Sequence, residues 1–249
     1  MPPRNKGSNA MQTATYVALA QQSALENSID VASNNIANIS TPAFKGQTVL
    51  FQEFLQPGPD GKQISYVRNV GVVRDTKPGN LSQTGNTLDN GIEGDGYFTV
   101  GTQDGNRYTR NGRFQLDNGG RLVTSQGYTV LSDQGTPIAI PANSHNITVT
   151  PDGGVSTENG PVGKLGLAHF DNQQDLVAAA DGLYVTADQP IPDTISKVHQ
   201  GTVEDSNVQP ITALTRLLGM QKAYTGAEQM IDDEDTRLKN AIDKISKVA

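Results

Sequence analysis

The sequence predicts an α+β chain. Its two ends form one discontinuous helical coiled-coil domain, and its middle forms a mostly antiparallel β-domain. Three observations lead there. Near the C-terminus the row Leu217, Tyr224, Ile231, Leu238, Ile245 recurs every seventh position, a heptad seam. Near the N-terminus Leu25, Ile29, Ala32 and Ile36 step by four, three and four, a second and weaker seam. Between them Asx-Gly and Gln-Gly pairs separate short β-forming runs at intervals of seven to eight residues, and no helical period intervenes.

Residues 1–10, MPPRNKGSNA, fit no pattern and read as an extension or junction ahead of Met11. From Thr13 to Asn38 the chain is rich in Ala, Gln and Asn, with Glu26 and Asp30 its charged residues. Small seam residues such as Ala32 permit close approach of a partner helix. Pro42 disfavours helix at Thr41 and ends the pattern. Residues 46–85 read as an extended connector carrying short strands, such as 64–67 and 70–73, with a turn at Pro57-Gly58-Pro59-Asp60-Gly61.

The β-domain, residues 86–204, shows strand candidates at 97–100, 108–109, 113–116, 121–123 and 128–131. Asp104-Gly105, Asn111-Gly112, Asn118-Gly119 and Gln126-Gly127 lie between them as tight-turn signals, with Asn111 and Gly112 expected at positive φ. The pattern continues through Ile147–Val149, Leu165–Phe170 and Leu183–Val185. Eight to twelve short strands in a barrel or sandwich are expected, since helical periodicity between strands would be needed for a doubly wound sheet.

The final helix is expected from about residue 210. Pro210 suits its first turn, and Asn207 or Ser206 can cap it. Its length, about 57 Å at 1.5 Å per residue, exceeds the diameter of a small domain. Its second row reads Leu214, Gln221, Glu228, Asp235, Ile242, polar in the middle. A half-polar seam of this length calls for another helix, and the N-terminal segment, with its Asn and Gln, is the natural mate. The helical domain therefore comprises 11–45 and 205–249.

Composition narrows the function. The chain is 35% hydrophobic and 5% aromatic with 26 Gly and no Trp, lean for one compact core. Its net charge of −7 and lack of a basic patch argue against nucleic acid. No apolar run is long enough to span a membrane, and the start has no secretory signal pattern. Cysteine is absent, which excludes thiolate chemistry. His145, His169 and His199 are not spaced as metal ligands. Gly91-Ile92-Glu93-Gly94-Asp95-Gly96 has the wrong glycine order for a dinucleotide loop, and a strand follows it. The run Asp232–Asp235 points in several directions on a helix and reads as a solvated face. No nucleophile–base or paired-carboxylate arrangement emerges. Neither an enzyme nor a cofactor is indicated.

Several stretches together carry a resemblance. Asn34-Asn35-Ile36-Ala37-Asn38-Ile39-Ser40-Thr41-Pro42-Ala43-Phe44-Lys45 is similar to the N-terminal signature of bacterial flagellar rod and hook proteins, with Ala43 where Gly is usual. Thr84–Asp89 and Gly94-Asp95-Gly96-Tyr97-Phe98 resemble that family's entry to its β-domain. Tyr108-Thr109-Arg110-Asn111-Gly112 and Leu122–Tyr128 resemble its hairpins, and Val203–Ile211 its entry to the last helix, with Asp205 where Gly is common. The likeness covers 11–249. Length, the Asn-Val-Gln-Pro entry and a single β-domain point to a proximal rod subunit, with a distal rod subunit as the alternative.

The resemblance implies a non-enzymatic structural subunit of the basal-body rod, the drive shaft that transmits torque. It implies export by the flagellar type III apparatus without a cleaved signal, and assembly in the periplasm with other rod proteins and with copies of itself. The assembly interface it implies comprises Leu25, Ile29, Ala32, Asn35, Ile36, Asn38, Thr41, Pro42 and Phe44 on the N-terminal side. On the C-terminal side it comprises Asn207, Leu214, Leu217, Gln221, Tyr224, Ile231, Leu238 and Ile242. Outside the family, a β-rich adhesin or binding module is the other reading; exposed aromatics in a groove would favour it, and the lack of Trp weighs against it.

Overall fold

The computed structural model describes residues 6–57, 63–144 and 146–246. Two long helices bracket the chain, α1 (Lys6–Ala37) and α2 (Pro210–Ser246). Helix α1 starts within the stretch that the sequence reading set aside. No proline follows Pro3 until Pro42, so nothing stops the helix from extending back to Lys6. Helix α2 opens on Pro210 as expected, with the Ala213 amide donating to the Gln209 carbonyl at 2.9 Å.

The connector departs from expectation. In place of scattered short strands it holds two long ones, β1 (Gln47–Pro57) and β2 (Gln63–Arg74), paired antiparallel from Gln47↔Arg74 to Pro57↔Gln63. A register shift between Leu50 and Phe51 explains the misreading. The extra residue lies on β2, where Val70 falls between the partners of Phe51 and Leu50, so the faces switch there and residues 64–67 and 70–73 read as separate pieces. The expected turn falls on residues 58–61, outside the described set apart from Pro57.

The chain forms two compact units. One comprises α1, the β1–β2 hairpin and α2; within it α1 packs on α2 and on both strands. The other comprises residues 38–46 and 75–208.

In this second unit the described residues form sixteen further strands, more than the eight to twelve expected, because many are only two or three residues long. Their pairings are all antiparallel. The central strand Tyr97–Thr102 pairs with Gly105–Thr109 on one side and with Thr129–Val130 and Leu167–His169 on the other. Strand Leu81–Gln83 pairs with Thr202–Glu204, and Asn90–Glu93 with Lys197–Gln200. Alternation along the central strand sends Phe98 and Val100, both fully buried, into the main core beside Phe114 and Ile138. The opposite face sets Tyr97 edge-on to Phe170 and Tyr184, with centroids 5.8 and 5.7 Å apart.

Gly105 sits at φ 106° between two paired strands, as its Asp-Gly signal predicts. Asn111-Gly112 does not behave this way: neither residue has positive φ. Gly112 is required by close approach instead, since a Cβ there would lie 1.7 Å from the Asn90 carbonyl oxygen.

Candidate assembly junction

On α1 the seam residues Leu25, Ile29, Ala32, Asn35 and Ile36 are half-buried, and Ala18 and Ala24 fully so. On α2 the row Leu217, Tyr224, Ile231 is half-buried as expected. Its companion row is not. Ala213, Met220, Ala227 and Glu234 accompany it on the inward face, while Leu214, Gln221, Glu228, Asp235 and Ile242 are exposed. A seventh-residue row admits a companion on either flank. The greasy ends of the Leu214–Ile242 row suggested one flank, but the slim Ala213 and Ala227 allow closer packing on the other. Leu238 is also exposed, and the side chain of Ile245 lies outside the described residues. Ile211, Leu214 and Leu218 therefore stand on the outer side of α2 at helical spacing.

The Asn-rich end of α1 has a defined use. The Asn35 side-chain amide donates from Nδ2 to the Gln47 carbonyl at 2.7 Å and accepts from the Gln47 N–H through Oδ1 at 2.8 Å. It thus stands in for a peptide group and clasps the start of β1. In the other unit the Thr41 hydroxyl donates to Asn38 Oδ1 at 3.1 Å, and the Phe44 amide donates to the Thr41 carbonyl at 3.2 Å. Pro42 and Phe44 are half-buried, and Thr41 is exposed. Ala43, where the family pattern has Gly, sits buried at φ 59°.

Asn207 does not cap α2. Its side chain accepts from the Gly46 amide at 2.7 Å and donates to the Asp75 and Lys77 carbonyls at 2.9 and 3.0 Å. Its own amide donates to the Phe44 carbonyl at 3.2 Å. A donor–acceptor side chain can bridge separate backbone segments in this way, and no local pattern marks which segments it joins. Ser206 Oγ accepts from the Val208 amide at 3.3 Å, a local turn contact.

Beneath Asn207 lies the feature that sequence reasoning missed. Glu204 is 1% exposed and takes two cations. Lys45 Nζ is 2.5 Å from Oε1 and Arg110 Nε is 2.6 Å from Oε2. The Gly79 amide adds a bond to Oε1 at 2.9 Å, and Lys45 also donates to the Lys77 carbonyl at 2.9 Å. Arg110 Nη1 donates to the carbonyls of Gly94 and Gly96 at 2.9 and 2.7 Å, and Nη2 to that of Ile92 at 3.2 Å. Its guanidinium lies 5.6 Å from the Tyr97 ring centroid. Burial holds the Lys45 ammonium below the ordinary lysine range, against the pull of Glu204 for the charged form. Four of the stretches that carried the resemblance meet here: Phe44-Lys45, Gly94–Phe98, Tyr108–Gly112 and Val203-Glu204. Each lies in a largely polar stretch, so nothing local marked Lys45, Arg110 or Glu204 as buried.

Of the histidines, His199 Nε2 lies 2.6 Å from Glu93 Oε2 and His169 lies 4.0 Å from Asp171; His145 is outside the described residues. In the acidic run of α2, Glu234 pairs with Arg237 at 2.8 Å and Asp235 with Lys239 at 2.5 Å. No helix among the described residues is long and apolar enough to cross a membrane.

Family models match three stretches: residues 16–45 a flagella basal body rod protein model, 91–157 the flagellar hook protein FlgE/F/G D1 domain, and 199–244 the flagellar basal body rod FlgEFG protein C-terminal model. The chain is 36% identical over 244 residues to the flagellar basal-body rod protein FlgF of Caulobacter vibrioides, covering 96% of this chain and 100% of that one. It is 34% identical to FlgF of Rhizobium meliloti, covering 94% and 98% of the two chains. To the flagellar basal-body rod protein FlgG of Bacillus subtilis it is 30% identical, covering 93% and 98%. With this likeness running nearly end to end, and stronger to FlgF than to FlgG, the chain belongs to the flagellar basal-body rod protein family and is FlgF-like within it.

Proposed function

We propose that this chain builds the flagellar basal-body rod as a structural subunit, joining other rod proteins and copies of itself through α1 and α2. The observation that carries the reading is the outer face of α2. Ile211, Leu214 and Leu218 are 81%, 48% and 58% exposed at helical spacing, a stripe that a neighbouring helix would cover. The same surface repeated head-to-tail on successive subunits generates an open helical array. The half-buried seam stays within each pair, and the polar row Gln221, Glu228, Asp235 then faces neighbours in a shared coiled-coil layer. Such a subunit acts by position and stiffness, not catalysis, and its net charge of −7 suits no nucleic-acid partner. Export through the flagellar type III apparatus, without a cleaved signal, would deliver it to the periplasmic rod. A distal, FlgG-like place in the shaft is the alternative.

Epitope-tagged chain expressed in its host should co-purify with detergent-extracted basal bodies and localise by immunogold to the shaft between the membrane rings. Recovery only in the soluble fraction, with basal bodies free of it, would refute the reading. Labelling confined to the distal shaft would favour the FlgG-like alternative.

A further inference from the structure

Residues 41–46 and 202–207 are far apart in sequence and lead, respectively, from α1 and toward α2. Both belong to the β-rich unit and are fastened there by bonds that involve no helical residue. The Ala43 amide donates to the Glu204 carbonyl at 2.8 Å, and the Asn207 amide to that of Phe44 at 3.2 Å. The Gly46 amide is held by Asn207 Oδ1 at 2.7 Å, and the Gly46 carbonyl by the Asp75 amide at 2.7 Å. The Asp205 amide donates to the Asn80 carbonyl at 2.8 Å. Under these bonds lies the Lys45–Glu204–Arg110 cluster, with side chains no more than 2% exposed. Arg110 in turn is anchored on the carbonyls of Ile92, Gly94 and Gly96. Leaving any one of these charges unpaired in the interior is costly, so the segments are held as a set.

We infer that this cluster is a clamp that pairs the roots of the two terminal helices independently of whether the helices themselves are formed. The two roots then stay joined in the β-rich unit when the helices open. A chain whose ends meet only because α1 grips α2 would behave oppositely: the roots would come loose whenever the helices melt. Lys45, Glu204 and Asn207 are thus positioning residues for assembly, acting through the backbone segments they hold.

Hydrogen exchange on the soluble full chain separates the two cases, and it stands apart from the rod reading because no rod is needed. In Ile231→Asp, amides along α1 and α2 should exchange at least 10-fold faster, while those of Ala43, Gly46 and Asp205 stay within about 3-fold of the parent. In Lys45→Met with Asn207→Ala, the Ala43, Gly46 and Asp205 amides should exchange at least 10-fold faster, with Val100 and Val130 unchanged as the check on folding. Lys45→Arg, which keeps the cation, should restore protection at Ala43. Should the double variant fail to fold, Asn207→Ala alone carries the test at Gly46. The clamp is overturned if Ala43, Gly46 and Asp205 lose protection together with the helices in Ile231→Asp. It is overturned equally if the clamp variants leave those amides as slow as in the parent.

Discussion

The two units of this chain handle apolar surface in opposite ways. In the β-rich unit Phe98 and Val100 are fully buried, and even Glu204 and Arg110 are sealed at 1–2% exposure. In the helical unit Phe54 on β1 is 53% exposed, Ile211 81% and Ile242 64%, and among the described residues of α2 Ala227 is the buried one. An isolated two-stranded ribbon is marginal in water, and α2 leaves large apolar side chains such as Leu214 and Leu218 uncovered. The contrast teaches that the β-rich unit seals its own core, whereas the helical unit leaves apolar surface uncovered. Substitutions should therefore divide by unit: stability losses in one, assembly losses in the other.

The largest effects should fall in the β-rich unit. Glu204→Ala strands Lys45 and Arg110 in the interior, and the unit should lose about 3–5 kcal/mol. Gly112→Val places carbon where the Asn90 carbonyl oxygen already stands, 1.7 Å from an ideal Cβ. It should cost about 4 kcal/mol or more through displacement of the backbone, not through turn strain. Denaturant unfolding followed by tyrosine fluorescence checks both. A midpoint unchanged from the parent in either variant would mean that the site yields more easily than its packing indicates.

The complementary variants sit in the helical unit. Ile231→Asp sets a carboxylate in the half-buried seam and should destabilise the helix pair by about 1–3 kcal/mol, leaving the β-rich unit's midpoint untouched and abolishing incorporation into basal bodies. Phe54→Ser, at an exposed site, should change monomer stability by less than about 0.5 kcal/mol while reducing swimming-halo diameter in soft agar. Full motility with either variant present at parental levels would erase the proposed division of labour. The division also predicts that limited proteolysis removes α1 and α2 before it cuts the β-rich unit; ends that resist protease as long as Phe98's strand would show that the helices are self-sufficient.

Much of the fold was legible because it rests on local periodicity. The seventh-residue rows marked both helices, Pro42 and Pro210 marked their limits, and Asp104-Gly105 marked a real hairpin turn. Where two solutions satisfied the same local pattern, sequence alone chose poorly. The Leu217–Tyr224–Ile231 row accepts a companion on either flank, and only the packing selects Ala213, Met220 and Ala227. The extra residue Val70 broke the alternation that would have revealed β2 as one strand. The clamp is the hardest case. Lys45 and Glu204 are 159 positions apart, and Arg110 and Glu204 are 94 apart. Nothing periodic links them, so their meeting follows from the tertiary fold alone. Asn207 illustrates the same limit: an Asn just before a helix reads as a cap, yet its amide bridges Gly46 to Asp75 and Lys77.

The smallest effect tests the finest point of the comparison, the residue at the edge of the clamp where this chain departs from its family pattern. Ala43 lies at φ 59°, where an L-residue is strained by about 1–2 kcal/mol relative to the right-handed conformation. Ala43→Gly removes that strain. It also adds backbone freedom to the unfolded chain, at about 0.5–1 kcal/mol, and it deletes a buried methyl group worth about 0.8 kcal/mol, since Ala43 is 7% exposed. The three terms nearly cancel. Ala43→Gly should therefore shift stability by no more than about 0.5 kcal/mol in either direction, which is why alanine is tolerated where glycine is usual. Ala43→Val keeps the strain, adds β-branching against it, and crowds a buried position; it should cost about 1–3 kcal/mol. Urea unfolding of the pair is the measurement. A valine variant as stable as the parent would mean that residue 43 escapes the left-handed conformation in solution, and that the Ala43–Glu204 backbone bond of the clamp is not kept.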